Sequence, residues 1–213
     1  MKKKINRIYK SLFASFGRQY WWPADSAFEV MVGAILTQNT NWANVEKAIK
    51  NLKKHKALAA EKLRKISVGR LALLIRPAGY YNIKAARLKN FVRFLFQRYA
   101  GDIKKMRKAE TGSLRQELLS VIGIGPETAD SILLYALDKP VFVVDAYTKR
   151  ILSRHKIVKS DAEYAQIQDL FMRNLEKDAR LFNEYHALLV KLGKDHCLKN
   201  KQKCSTCPLS HDK

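Results

Sequence analysis

The sequence predicts an all-α protein, and three observations support this prediction. Glycine and proline are scarce, at 9 and 5 of 213 residues. The long segments between them place apolar residues at helical rather than alternating spacing. The one run with strand-like composition, 141–144, follows Lys139-Pro140, where an extended connection is the simpler interpretation. With 47% hydrophobic residues, a chain of this length can bury a real core in one large or two small domains.

Two segments with a single apolar face carry the predicted core. One stripe runs through 28–35 and the other through 88–96, with Arg and Lys on the opposite side of the second. Internal repeats and low-complexity linkers are absent from the sequence, so composition marks no domain boundary.

The charge of the chain indicates a polyanionic partner. Lys and Arg number 41 against 19 Asp and Glu, which gives a formal charge of +22, more than solubility requires. Nucleic acid is favoured over a membrane, because the longest uncharged apolar run, 30–36, is about a third of a spanning helix. The basic N-terminus is followed by no apolar signal-peptide core, and the three cysteines cannot form a paired disulfide framework. We therefore expect a cytoplasmic protein.

A glycine turn between two helices, GIGPETA at 123–129, is the first motif that points to function. A helix is predicted over 114–121, and Gly123 and Gly125 supply positive φ or close backbone approach. Pro126 suits the first position of a second helix, which continues to residue 137. Free amides at such a helix start bind a DNA phosphate without reading a base. Taken alone, the motif is explained equally well as a simple helix connector.

Asp145 is the second feature of interest. It lies 18 positions after Glu127, behind the apolar run and in front of a predicted helix over 146–152. Helix capping is the commonest task for an aspartate in that position. Capping and a chemical role are compatible.

GIGPETA followed by VFVVDAYTKR resembles the helix-hairpin-helix and catalytic-aspartate region of the endonuclease III superfamily of DNA glycosylases. The resemblance extends from LTQNT at 36–40, through AGYYNIKAARL at 78–88, to the terminal cysteines. It implies two helical lobes, one over 19–139 with the hairpin and one combining 1–18 with 140–213. It also implies a monomer whose partner is double-stranded DNA with a damaged base, acting near the bacterial or archaeal nucleoid. Members of this superfamily flip the target nucleotide out of the stack.

The resemblance assigns roles to both acids. Asp145 matches the carboxylate that stabilises positive charge on the deoxyribose and positions or activates a water. Glu127 matches the place where bifunctional members have a lysine, whose amine forms a Schiff base before strand cleavage. A carboxylate cannot form an imine. The resemblance therefore implies a monofunctional glycosylase that leaves an abasic site.

Among monofunctional members, the chain is most similar to the bacterial 3-methyladenine DNA glycosylase type. That type has a Glu at the place of Glu127 and an aromatic stretch similar to residues 20–23. Alkylated purines carry positive charge, so electron-rich aromatic faces bind them. A Lys near the pocket of that type matches Lys194, for which a phosphate contact is the alternative. The implied substrate-binding residues are Trp21, Trp22, Pro23, Trp42 and Lys194.

The tryptophans have a plainer interpretation as core or interface aromatics. Two adjacent tryptophans on a helix cannot face the same way, so at most one of Trp21 and Trp22 stacks on the base. Trp22 and Trp42 rank ahead of Trp21 for that contact.

Two loops match the elements that fill the gap left by a flipped nucleotide. Gln38 can hydrogen-bond to the widowed base, and Tyr80, where endonuclease III has a leucine, can replace lost stacking. A surface turn residue is the alternative for Tyr80, which follows Gly79. The implied DNA-binding residues are Gln38, Tyr80, Asn82, Gly123, Gly125 and Thr128.

Three cysteines close the chain. Six residues separate Cys197 from Cys204 and two separate Cys204 from Cys207, which is similar to the family's iron–sulfur spacing. The fourth cysteine is expected at the place of Lys213, and a [4Fe–4S] cluster normally takes four thiolates. We favour the cluster, with a non-cysteine ligand or a truncated chain as variants. A zinc site with His211 and a site that holds no metal stay open. The role is structural in each case.

Two other functions remain open. A glycosylase for mismatched or deaminated pyrimidines uses the same scaffold, also without the lysine. A non-catalytic protein that binds damaged DNA would keep the hairpin and lose the chemistry.

Overall fold

The structure, a computed structural model, describes residues 1–210. In this part of the chain the regular structure is helical, apart from one isolated bridge between Cys197 and Gln202. The all-α prediction is confirmed. No helix in the described residues has the length and apolar character needed to cross a bilayer.

The helical segments of the described residues are α-helices, except for three short turns of other helix types. The α helices are α1 Lys2–Phe16, α2 Ala27–Leu36, α3 Trp42–Lys54, α4 Ala60–Lys65, α5 Val68–Leu74, α6 Tyr81–Tyr99, α7 Ile103–Lys108, α8 Thr111–Leu119, α9 Pro126–Ser131, α10 Ala146–Arg154, α11 Tyr164–Asn174 and α12 Ala179–Asp195. Arg76–Ala78 and Cys204–Thr206 are 3-10 turns. Ile132–Ala136 is a π-helical turn that continues α9.

The chain divides into two compact units. One, the hairpin unit, comprises Ala24–Lys139, and the other, the aspartate unit, combines Met1–Pro23 with the described residues from Pro140 onward. The sequence places the first boundary at 18/19, whereas the structure groups residues 19–23 with the aspartate unit. The aromatic stretch at 20–23 therefore belongs with Asp145 and the cysteines.

The hairpin unit is built around α2. Every residue from Phe28 to Leu36 is buried, and the helix packs against α3, α6, α9 and the π turn. The predicted stripes at 28–35 and 88–96 lie in α2 and α6. Each fully buried Leu, Ile or Phe contributes about 1.5–3 kcal/mol, so these stripes supply much of the unit's stability.

The aspartate unit is built around α12, which packs against α1 and α10. Phe142 stacks on Phe171 with ring centroids 3.8 Å apart, and Phe182 and Tyr185 meet its ring edge-on. Residues 141–144 are buried without forming a strand, as the sequence predicts. This buried connection fixes the point at which α10 begins.

The hairpin follows the predicted order with different bounds. The first helix, α8, ends at Leu119, two residues before the predicted end, because the turn begins at Ser120. Gly123 has φ 95°, whereas Gly125, the N-cap of α9, has φ −94°. Pro126 takes the first helical position as predicted. A Cβ at Gly125 would meet only open space, so its backbone is accessible rather than strained.

A buried ion pair joins the two helices of the hairpin and gives a test of the fold. Arg115 Nε lies 2.6 Å from Asp130 Oδ1, and the carboxylate is fully buried. Arg173 Nε lies at the same 2.6 Å from Asp169 Oδ1, but these side chains are 79% and 50% exposed. The two pairs are matched in chemistry and differ in burial.

We expect Asp130→Ala to lower the free energy of unfolding by about 3–5 kcal/mol, because it leaves a largely buried guanidinium without its carboxylate. Asp169→Ala, the matched control, should lower it by no more than about 0.5 kcal/mol. Urea denaturation measures both. Equal losses in the two variants would contradict the assigned role of the buried pair.

Candidate functional site

Asp145 caps α10 with one of its two carboxylate oxygens. Its backbone is extended, and Oδ1 accepts a hydrogen bond of 2.7 Å from the Thr148 amide. Oδ2 lies 3.7 Å from His186 Nε2, and the Asp145 side chain is 12% exposed. The capping interpretation is thus confirmed. It also leaves the second oxygen outside the cap bond.

His186 is the neighbour of Asp145 that sequence reasoning missed. Its side chain is buried in α12, and burial lowers the pKa of the imidazole below its ordinary value, with the Asp145 carboxylate opposing that shift. The imidazole is therefore neutral at pH 7. A signal existed in the sequence, because a histidine occupies an apolar stripe with Phe182 and Leu189 at helical spacing.

Trp21 and Trp22 lie in an irregular segment between α1 and α2, so their assignment to a helix was wrong. Gly17, at φ 65°, ends α1 before they are reached. The two rings meet edge-on with centroids 5.3 Å apart. Lys194 Nζ lies 5.9 Å from the Trp21 ring centroid, within the range of a cation–π contact. Three predicted substrate-binding residues are thus brought together.

The remaining predicted pocket residues are placed separately. Pro23 is exposed at the end of the same irregular segment. Trp42 is the first residue of α3 in the hairpin unit and is half-buried. Glu127 lies in the first turn of α9 and is exposed.

Gln38 is docked on the hairpin by its side chain. Its Nε2 donates to the Gly123 carbonyl at 3.0 Å and to Thr128 Oγ1 at 2.9 Å. Its Oε1 accepts from the Arg87 guanidinium. A Cβ at Gly123 would collide with the Arg87 side chain, so glycine is required there for space as well as for φ. Three of the predicted DNA-binding residues form one network.

The other predicted DNA contacts lie at exposed helix starts and turns. Tyr80 is the N-cap of α6, has φ 45° and is 67% exposed. Asn82 follows in the first turn and is exposed. Ile122, at the hairpin turn, is 81% exposed, and sequence reasoning missed it. An apolar residue in front of a predicted glycine turn was the available signal.

Lys84 is a buried cation that sequence reasoning also missed. Its Nζ donates to the Leu36 carbonyl at 2.9 Å and to the Ala78 carbonyl at 2.7 Å. Burial, assisted by the charge of Arg87, lowers the pKa of Lys84 to about 8. Its position on the stripe that continues through Leu88 and Phe91 was the signal, because a lysine there cannot reach solvent.

The cysteine segment is held by arginines of α10. Arg150 donates to the carbonyls of Gly193 and Cys197, and Arg154 to those of Leu198 and Lys199. Arg154 also donates to Cys197 Sγ at 3.3 Å. These bonds fix the segment onto the helix that Asp145 begins.

The cysteines differ in exposure. Cys197 is buried, Cys207 is half-buried and Cys204 is exposed. Over residues 1–210 no three His, Cys, Asp or Glu side chains are grouped closely enough to hold a metal ion. His211 and Lys213, named for the fourth ligand position, lie outside the described residues. The described donors therefore do not fit the four thiolates of a [4Fe–4S] cluster.

Comparisons with known proteins place this geometry in a family. A model of the HhH-GPD superfamily of base excision DNA repair proteins matches residues 32–177, which include the hairpin and Asp145. A protein of Methanocaldococcus jannaschii, named as a candidate DNA repair glycosylase, is 51% identical over 207 residues, covering 96% of this chain and 93% of that protein. Endonuclease III of Thermotoga maritima is 29% identical over 207 residues, covering 97% and 91%.

Solved structures of DNA glycosylases have a similar fold. The 3-methyladenine DNA glycosylase of H. pylori, bound to 1,N6-ethenoadenine, superposes with a TM-score of 0.78 at 28% identity, covering 91% of this chain and 97% of that one. A trapped endonuclease III–DNA covalent intermediate superposes with a TM-score of 0.85 at 22% identity, covering 99% and 94%, and supports the fold alone. The chain therefore belongs to the HhH-GPD superfamily of base excision DNA repair proteins and is a DNA glycosylase by family.

Proposed function

We propose that this protein flips alkylated purines of the 3-methyladenine or 7-methylguanine type out of double-stranded DNA and hydrolyses their N-glycosidic bond. It acts without strand cleavage. The observation that carries the proposal is the carboxylate of Asp145, nearly buried, with one oxygen fixed by the cap bond and the other outside it.

Asp145 supplies negative charge where positive charge develops. As the glycosidic bond breaks, the deoxyribose becomes oxocarbenium-like, and a carboxylate held in a low-dielectric site stabilises it more strongly than one in water. The bond from Thr148 to Oδ1 fixes the orientation before the reaction begins. Oδ2 can then accept a proton from the attacking water.

His186 supports this role by remaining neutral. A protonated imidazole 3.7 Å from Oδ2 would offset much of the carboxylate's field at the sugar. Because burial lowers the pKa of His186, the carboxylate keeps its net charge at neutral pH.

Glu127 supports the absence of strand cleavage. An exposed carboxylate in the first turn of α9 provides no amine, so no Schiff base with C1′ can form at that position. Hydrolysis at Asp145 then ends the reaction with an abasic site.

The aromatic residues support a purine substrate with positive charge. Lys194 lies near one tryptophan, Trp21, and its ammonium would repel a cationic base from that ring. Trp22 is therefore the better stacking face of the pair, and Trp42 is a second candidate. The H. pylori relative is named a 3-methyladenine glycosylase, which favours the same substrate class.

The hairpin and the cysteine segment complete the proposal. The backbone around Gly123 and Gly125 would contact a DNA phosphate, and Gln38, Tyr80, Asn82 and Thr128 belong to the same unit. The cysteine segment is a structural element, and no reaction step passes through it. Iron and zinc analysis of the purified protein determines which metal, if either, it binds.

Asp145→Asn is expected to lower the rate of base release by about 100-fold or more. Asparagine still caps a helix, so the variant removes the charge and retains the cap. The measurement is single-turnover release from duplexes containing 7-methylguanine, a 3-methyladenine analogue, uracil or a G·T mismatch. Wild-type release of pyrimidines alone would support a deaminated-pyrimidine glycosylase instead. Equal activity in both proteins would remove Asp145 from the mechanism.

Borohydride reduction tests the absence of lyase chemistry. With a duplex containing an abasic site, we expect no covalent protein–DNA adduct, because the position of Glu127 holds no amine. A bifunctional endonuclease III treated in parallel verifies that the assay detects an imine. A trapped adduct of the wild-type protein would contradict the proposed monofunctional reaction.

His186 gives a pH-dependent stability with a defined sign. Its folded pKa lies below the unfolded value of 6.5, so stability is unaffected above about pH 6.5 and falls as the pH drops below it. The loss is at most about 1.4 kcal/mol per pH unit. The His186→Gln variant should lack this pH-dependent loss of stability. Urea unfolding of wild type and His186→Gln at pH 7.5 and 5.5 measures this loss. If both proteins lose the same stability between the two pH values, the buried neutral state of His186 is contradicted.

A further inference from the structure

We infer that Lys84 is a positioning residue that holds two loops in register, the loop carrying Gln38 and the loop carrying Tyr80. Under the proposed function, on which this inference rests, these two loops fill the gap left by the flipped nucleotide; we call them the wedge loops, and Gln38 and Tyr80 the wedge residues. Lys84 itself is fully buried, so its side chain is not available to contact DNA.

The two carbonyls that Lys84 contacts are both helix ends. Leu36 is the last residue of α2, and Ala78 is the last residue of the 3-10 turn Arg76–Ala78. The final carbonyls of a helix have no partner within it and carry the negative end of the helix dipole. One ammonium therefore caps two helices at once, with bonds of 2.9 and 2.7 Å.

Each capped carbonyl lies two residues before a predicted wedge residue. Gln38 follows Leu36 at that spacing, and Tyr80 follows Ala78. Two residues of chain span at most about 7 Å, so each wedge residue lies close to a carbonyl that Lys84 holds. The Lys84 amide also donates to the Tyr80 carbonyl at 2.9 Å. Tyr80 has φ 45°, a conformation that costs a non-glycine residue about 1 kcal/mol or more and persists only where the surroundings hold it.

The same helix also holds the side chain of Gln38. Arg87, one turn after Lys84, donates to Gln38 Oε1 while Gln38 Nε2 bonds to the hairpin. Helix α6 thus fixes the backbone before Gln38 through Lys84 and its side chain through Arg87. Both wedge loops depend on consecutive turns of one helix.

Packing alone does not explain a lysine at this position. The neighbours along the stripe, Leu88 and Phe91, are apolar, and a methionine would fill a similar space without a buried charge. Burial of an ammonium is unfavourable, and it lowers the pKa of Lys84. What the lysine adds over an apolar residue is the pair of carbonyl bonds.

Lys89 provides a matched control on the same helix. Its Nζ donates to the carbonyls of Leu63, Arg64 and Ile66 at 3.0, 2.6 and 2.8 Å. These carbonyls lie at the end of α4, and the next predicted DNA-binding residue along the chain, Tyr80, comes 14 positions after Ile66. Lys89→Met therefore removes a comparable set of bonds without touching either wedge loop.

The experiment measures binding of wild type, Lys84→Met and Lys89→Met to two duplexes by fluorescence anisotropy at one salt concentration. One duplex contains a tetrahydrofuran abasic analogue, and the other is undamaged. We expect Lys84→Met to lose about tenfold or more of the preference for the abasic duplex, with undamaged binding within about twofold of wild type. Lys89→Met should keep the wild-type preference. If Lys84→Met does not fold, Lys84→Gln takes its place and is scored in the same way.

The outcomes separate the inference from the function on which it rests. Wild-type preference for the abasic duplex that Lys84→Met retains would overturn the positioning role alone. An equal loss of preference in both methionine variants would also overturn it, since general destabilisation would then explain the result. A wild type without any preference would overturn the proposed function, and the inference with it.

Discussion

Buried helix ends impose the constraint on which the candidate site depends. In a fold of short helices, many terminal amides and carbonyls lie away from water, and each needs a partner. Asp145 satisfies an amide at the start of α10, Lys84 satisfies carbonyls at the ends of α2 and the 3-10 turn, and Arg150 satisfies the Gly193 carbonyl in α12. The residues that meet this requirement also fix the loops and the carboxylate to which the function is assigned.

This constraint divides the charges of the chain into two populations. The few buried ones, including Lys84 and Asp130, have short contacts and determine geometry. The chain as a whole has 41 Lys and Arg residues and a net charge of +22, which produces a long-range attraction to a polyanion. That attraction is weakened by salt and insensitive to sequence, whereas the buried contacts are screened much less. Under the proposed function, general affinity for DNA and recognition of a lesion therefore have separate physical origins in one chain.

The parts of the fold that were predictable from sequence are those that rest on local pattern. The stripes in α2 and α6, the proline start of α9 and the cap at Asp145 each depend on residues a few positions apart. Lys84 and His186 were missed because their significance depends on distant partners, such as the Leu36 carbonyl 48 positions away. The helical assignment of Trp21 and Trp22 failed for a different reason. Gly17 ends α1 at a positive φ before that stretch begins, and residues 17–24 form no helix.

The physics of a helix start also explains how one position can separate two reactions. Glu127 lies in the first turn of α9, where the positive end of the helix dipole favours a negative charge by about 0.3–1 kcal/mol. A lysine there would have its ammonium form disfavoured by the same dipole, which increases the neutral amine that attacks C1′. The helix start therefore stabilises the acid and activates the amine with a single field. Under the proposed function, Glu127 stabilises the helix start but provides no amine nucleophile. The reaction that begins at Asp145 therefore ends with an abasic site.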